Sequence, residues 1–386
     1  MPDEPHLEPV GPADSGAATD TATDTATDTA TETLTVVGLL ADPNLPGELA
    51  EQLVEGLPQV LAARLDAPRT WEVETVVEPF EANDRGERAL DRARERVRRT
   101  RWDVAVCLTD VPAKASGVPV VAQVSERDRV AVVSVPALGG VRLLPRVRDA
   151  VVDLVGRLLG IDAAAAARRP TRRAALLHEP GMAAEDADET VLARGGSLRL
   201  LAGMVRTNRP WRLTVGLGTA LAGAAAGSAF GLLYSNIWQL ANALTAWRLA
   251  LAFVGSLAIF VVWLIVGHRL WERGSPEVGI DRLLNLGTVL TLATGTGLFS
   301  VALLVLNAIV ASVIIPAGYL SRVLGHPAGL GDYVPIVVLA TIMGVVAGAV
   351  GSGLEDDATV RLVAYGHRQR ERRDLAARLE AAAREE

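Results

Sequence analysis

Residues 286–315 read LGTVLTLATGTGLFSVALLVLNAIVASVII, 30 consecutive residues without Asp, Glu, Lys, Arg or His. A helix needs about 20 apolar residues to cross a hydrocarbon core about 30 Å thick. This run therefore spans a bilayer with length to spare, and it marks the chain as an integral membrane protein. As a single helix it would measure about 45 Å at 1.5 Å per residue. It is expected to tilt, or to break near Asn307 and continue along the outer surface to Pro316. Three further runs have spanning length, 213–233, 249–267 and 334–354, so a bundle of four transmembrane helices is expected within 213–354.

Arginine placement orients the bundle. Arg206, Arg209 and Arg212 precede the first run, and Arg269, Arg273 and Arg282 separate the second from the third. Arg361, Arg368, Arg370, Arg372 and Arg373 follow the fourth, whereas the other two loops carry only Arg248 and Arg322. Basic residues accumulate on the cytoplasmic side, so both termini are expected in the cytoplasm of a bacterial cell, with the lipid bilayer as the first partner. Trp211, Tyr234, Trp238, Trp247, Trp271, Tyr319 and Tyr333 fall near the ends of the runs, where an interfacial aromatic belt belongs. Gly223, Gly227 and Gly231 recur at four-residue spacing, as do Gly344, Gly348 and Ser352. Such stripes let helix backbones approach closely, either inside one bundle or between copies in a homo-oligomer. The only polar line in the spans is Thr288, Thr291, Thr294, Thr296 and Asn307. A threonine hydroxyl can bond its own helix backbone, so this line is weak support for a transport path.

Outside the spans the chain reads as soluble. Its net charge is −7, and Lys114 is the one lysine among 38 basic residues. That arginine bias suits a GC-rich bacterial genome, and the acidic balance speaks against a nucleic-acid partner. Cys107, the single cysteine, sits in an apolar strand pattern and reads as a core residue. Residues 1–33, with their Thr-Asp-Thr-Ala repeats, cannot bury enough apolar surface to order themselves and are expected to be a disordered tail.

Residues 34–160 form a cytoplasmic α/β domain in the order βαβαβββα. Strands are expected at 34–40, 71–77, 103–108, 118–124 and 130–135, the last two forming a hairpin about the turn 125–129. One helix follows Pro46 and carries Leu49, Leu53, Leu57, Val60 and Leu61 on one face; a charged helix covers 84–100, and another covers 143–159. Residues 161–212 contain a linker, 161–185, and a juxtamembrane amphipathic helix, 192–205, with Leu198, Leu201 and Met204 on its apolar side. That helix either lies on the headgroups or docks on the α/β domain. A charged cytoplasmic helix is expected over 355–386.

No enzyme motif is present. The five histidines, His6, His178, His268, His326 and His367, never pair at ligand spacing, and no phosphate-binding glycine loop or nucleophile elbow occurs. No catalytic residue, metal ligand or cofactor is assigned. Open α/β sheets gather ligands at the carboxyl ends of their strands. Asp42, Asn44, Thr109 and Asp110 stand there as ligand-binding candidates, with turn and helix-cap roles as the alternative.

The stretch Val106-Cys-Leu-Thr-Asp-Val111, followed by Gly117-Val-Pro-Val-Val-Ala-Gln123, Arg129-Val-Ala-Val-Val-Ser134 and a helix, resembles the core of archaemetzincin-type zinc peptidases. The resemblance covers about residues 34–160 and implies a zincin-like sheet with an antiparallel edge strand, followed by another strand that ends near Val133-Ser134. In that family the following helix bears His-Glu-x-x-His. Here Asp153, Leu154 and Arg157 occupy those positions. Leucine cannot act as a general base and arginine repels zinc, so the resemblance implies a zincin-like fold that has lost metal and peptidase activity. The whole layout resembles actinobacterial integral membrane proteins. The expected function is a membrane-anchored, non-catalytic sensor or scaffold for a protein partner. The alternatives are a small-solute transporter or channel, and a tethered enzyme acting at Asp42 and Asp110.

Overall fold

The computed structural model describes residues 33–65, 69–78, 87–115, 118–161, 177–179, 189–192, 196–211, 218–271 and 280–353. The N-terminal tail, the start of the first apolar run and the C-terminal segment lie outside them.

The soluble part is a mixed sheet with helices on both faces. Its principal strands are β1 (Thr33–Ala41), β2 (Arg69–Val77), β3 (Val104–Thr109), β5 (Val118–Ser125) and β6 (Val130–Ser134). They run in the order β2-β1-β3-β6-β5, parallel up to β6, with β5 antiparallel to β6. The short strand β4 (Ala113–Ala115) pairs with β5, and β8 (Glu189–Leu192) and β7 (Leu177–Glu179) extend the sheet beyond it. The expected βαβαβββα order is therefore present, with strands added from the segment read as linker.

Both faces of β1 are buried, which is why its sequence is apolar without alternation. Val37, Leu39 and Ala41 pack under α1 (Leu45–Val54), α2 (Leu57–Leu65) and α4 (Leu143–Leu158). Val36 and Leu40 pack on the opposite side with Leu90 and Ala93 of α3 (Glu87–Arg99), Trp102 and Cys107. Gly38 is required there, because a Cβ would stand 2.0 Å from the Trp102 ring. Trp102 donates from its indole nitrogen to Glu74 at 2.6 Å, and Arg101 bonds the same carboxylate. Those two donors, Arg101 foremost, hold Glu74 below the usual carboxylate range.

The single helix expected after Pro46 divides into α1 and α2. Pro58 lacks the N–H that would continue the ladder, so the first helix ends before it and Pro58 sits in the first turn of α2, where no such donor is needed. The juxtamembrane helix, α5 (Gly196–Asn208), begins later than expected because Leu192 closes β8. Its buried side is Leu200, Leu201, Gly203, Met204 and Thr207, whereas Leu198, expected inside, is 81% exposed.

The apolar half contains α6 (Gly218–Leu233), α7 (Ser235–Ala243), α8 (Ala246–Gly267), α9 (Ile280–Ile314), α10 (Ala317–Leu324) and α11 (Leu330–Ser352). Three of these, α8, α9 and α11, are long and apolar enough to cross a membrane, as befits a multi-pass membrane protein. α6 qualifies as a fourth only together with α7, from which it is bent by 83°.

α9 runs unbroken through Asn307, so of the two expected alternatives, tilt or break, the break is corrected. The surplus length lies at its other end. Gly344 faces Leu303 and Gly348 faces Phe299, which brings Ser352, the end of α11, level with Thr294–Thr296 of α9. The helix from Leu292 to Ile314 is about 34 Å long, close to one hydrocarbon thickness. Its first 12 residues, Ile280–Thr291, extend about 18 Å past the level of the described end of α11.

The two small-residue stripes face one another. A Cβ on Gly223 would stand 2.7 Å from the Ala347 carbonyl, one on Gly227 2.6 Å from that of Met343, and one on Gly231 2.5 Å from the Ala340 Cα. From the other side, Gly344 meets Ser228 and Ala224, and Gly348 meets Ala220. Ser352 is buried and bonds the Ala349 carbonyl. Gly227→Leu should lower the unfolding midpoint of the detergent-solubilised chain by the equivalent of about 1–3 kcal/mol, the usual cost of overpacking. Gly255→Leu, which faces open space, should leave it unchanged; equal effects of the two would refute this packing.

Candidate functional site

Three adjacent parallel strands end in a polar row. Asp42 follows β1, Thr109 closes β3 and Ser134 closes β6, and all three are buried. Thr109 donates its hydroxyl to Asp42 Oδ2 at 2.7 Å and accepts the Val111 N–H at 3.1 Å. Ser134 donates to the Val111 carbonyl at 2.7 Å, and the Asp42 N–H bonds the Leu108 carbonyl at 3.0 Å. Asp110 is buried beside them. Of the four residues read from sequence, Asp42, Thr109 and Asp110 therefore come together. Asn44 does not: it is exposed, and its φ of 74° makes it the turn residue that launches α1. Ser134 was not singled out as a site residue, although its signal is the same as that of Thr109, a hydroxyl directly after an all-apolar strand.

This row is sealed, not open. Its residues are at most 3% exposed, and the nearby Cys107 thiol is pushed far up by burial, with the Asp42 charge adding to the effect. A thiol raised in this way stays protonated near neutral pH.

The same carboxyl edge holds the membrane helices. Pro136, in the short 3₁₀ turn Val135–Leu138 after β6, presses its carbonyl against Gly203 of α5, where a Cβ would stand 1.9 Å away. The Leu138 carbonyl accepts from Arg146 of α4 at 2.8 Å and from Arg199 of α5 at 3.1 Å. Burial, with the Arg146 charge beside it, holds Arg199 below the usual arginine range. Glu48, in the first turn of α1, is ion-paired to Arg209 just beyond α5.

α5 then runs alongside the projecting turns of α9. Leu200, Leu201 and Met204 share one core with Leu283 and Leu284; Met204 lies against Gly287, and Asn208 donates to Thr291 at 3.0 Å. Both sequences advance together, so the two helices are parallel. Of the two options for the juxtamembrane helix, docking on the α/β domain is the one realised.

Polar groups inside the bundle are mostly engaged locally. Thr294 and Thr296 bond carbonyls of their own helix. Asn307 bonds across helices, donating to Ser228 of α6 and Thr341 of α11, each at 3.1 Å, and Thr219 of α6 donates to the Gly351 carbonyl of α11 at 3.0 Å. Asn307 thus joins three helices, seven residues before the end of α9.

Among the described residues, no three His, Cys, Asp or Glu side chains gather where they could hold a metal ion. His268 follows α8 and His326 follows α10, at opposite ends of the bundle. At the positions where the resemblance puts the zinc motif, Leu154 is buried in the core, while Asp153 and Arg157 lie on the outer side of α4 with Asp149. Burial, then the charge of Asp149, raises the Asp153 carboxyl. Compared with known proteins, the chain matches no family model, no curated protein and no solved structure.

Thr109→Val should destabilise the fold by about 1–3 kcal/mol, because it withdraws a hydroxyl from the buried Asp42 carboxylate. Denaturant unfolding of the full chain measures this, and an unchanged midpoint would show that the hydroxyl contributes nothing.

Proposed function

We propose that the chain is a membrane-anchored, non-catalytic cytoplasmic module, a sensor or scaffold whose sheet domain follows the state of its transmembrane bundle through α9 and α5. The observation that carries this reading is the occupant of the sheet's carboxyl edge. Open α/β sheets take ligands there, and here that edge is packed against α5 and thereby joined to the first turns of α9. A tethered enzyme would need Asp42 and Asp110 accessible, and both are buried. A transporter would need its polar line gathered around a path, whereas Thr294 and Thr296 spend their hydroxyls on their own helix.

The arginine distribution supports insertion in a bacterial cell membrane with both termini cytoplasmic. The strand order places antiparallel β5 beside β6 with α4 following, but β8 pairs with the other side of β5, so β5 is not the edge strand that a zincin-like sheet would have. Leu154 in the core and Arg157 in place of a ligand accord with a domain that holds no zinc. The glycine stripes are engaged within one chain, so they lend no weight to a homo-oligomer.

A sensor of this kind responds to the bilayer. Hydrogen exchange in nanodiscs of short-chain and long-chain lipid should differ at 135–142 and 196–208, the segments joining sheet to helix. Identical exchange in both lipids would reduce the bundle to a passive anchor.

A further inference from the structure

The loop after the 3₁₀ turn and the first turn of α5 form an exposed surface with an unusual character. Gly139 touches Arg199, and Gly140 touches Ala202. Val141 and Leu198 flank these contacts and are 70% and 81% exposed. Arg142, Arg146 and Arg199 stand beside Val141 and Leu198 on this surface, while Arg148 and Arg209 are ion-paired to Asp149 and Glu48. Two exposed apolar side chains set among arginines call for an acidic partner that also brings apolar anchors.

Lipid is out of reach of this surface. Leu198 lies ten residues before Asn208 on a helix parallel to α9, about 15 Å farther from the bundle. Thr291, level with Asn208, already stands past the described end of α11, and a headgroup layer is only about 5–8 Å deep.

A matching segment exists within the chain. Residues 1–32 carry eight acidic residues and no lysine or arginine. Within them Asp3-Glu-Pro-His-Leu-Glu-Pro-Val10 is the stretch that combines acids with apolar side chains larger than alanine. It is tethered at Thr33, the amino end of β1, and the surface lies at the carboxyl edge of the sheet. Nine strand residues separate the two edges, about 30 Å at 3.3 Å per residue. The 26 residues from Leu7 to Thr33 have a root-mean-square span of about 28 Å as flexible chain. A linker whose natural span matches the distance gives the highest effective concentration.

We propose that Asp3–Val10 docks on this surface, Leu7 and Val10 against Val141 and Leu198, with Asp3, Glu4 and Glu8 beside Arg142, Arg146 and Arg199. The tail then covers the face that an acidic protein partner would use, and competes with it.

The test uses the full-length chain in native-lipid nanodiscs with a photoreactive benzoylphenylalanine at position 13, next to the proposed anchors. Illumination should crosslink it to peptides covering 139–146 or 196–202. The crosslink should be lost with Arg142→Glu combined with Leu198→Glu, both exposed positions whose variants can be checked for an unchanged unfolding midpoint. It should return in part when Glu8→Arg is paired with Arg142→Glu alone. Crosslinks that map instead to the arginines at 168–173 or 361–373, that go to lipid, or that ignore the Arg142→Glu and Leu198→Glu changes would overturn the proposal. None of these outcomes depends on whether the bundle transmits a signal.

Discussion

The arrangement depends on one packing contact, the parallel seating of α5 on the first turns of α9. Met204 fills the space that Gly287 leaves by lacking a side chain, and four residues further on Asn208 bonds Thr291. That seat brings Leu283 and Leu284 into the core that Leu200, Leu201 and Met204 share with the sheet domain. With it, the surplus turns become part of the soluble core. The sheet domain and the bundle are then two ends of one packed structure, not a globule on a string.

That contact also decides the fate of the sheet's carboxyl edge. Gly203 is pressed on the Pro136 carbonyl, Arg199 reaches the Leu138 carbonyl, and Glu48 holds Arg209. The groups that commonly meet a ligand in an open α/β sheet are here turned to holding a helix. The polar row of Asp42, Thr109 and Ser134 lies under this edge, and its hydrogen bonds are internal.

The sequence makes some of this legible, for identifiable reasons. β1, β3 and β6 could be read because strands buried on both faces are continuous in Val, Leu and Ala, and the turn after β5 announced the hairpin. The run at 286–315 is legible as a span by its length and composition, and the helix that contains it begins earlier, at Ile280. Hydropathy cannot distinguish leucines that meet lipid from leucines, such as Leu283 and Leu284, that meet a protein core. α5 was recognised as amphipathic, yet its buried side was turned toward Leu198, because periodicity alone does not say that Gly203 must face Pro136. Asp42, Thr109 and Asp110 were grouped correctly by the rule about strand ends, whereas whether that end is open depends on a helix more than 80 residues away. Tertiary contact, not local pattern, determined each of these points.

The central claim is that α9 leaves the bilayer before its first three turns. Spin labels at Leu286, Leu298 and Val305, all side chains exposed on α9, measure this through their relative accessibility to oxygen and to a water-soluble relaxant in lipid nanodiscs. The account predicts a water-exposed label at Leu286 and lipid-exposed labels at Leu298 and Val305. Lipid exposure at Leu286 equal to that at Leu298 would put the docked turns inside the membrane and contradict the shared core.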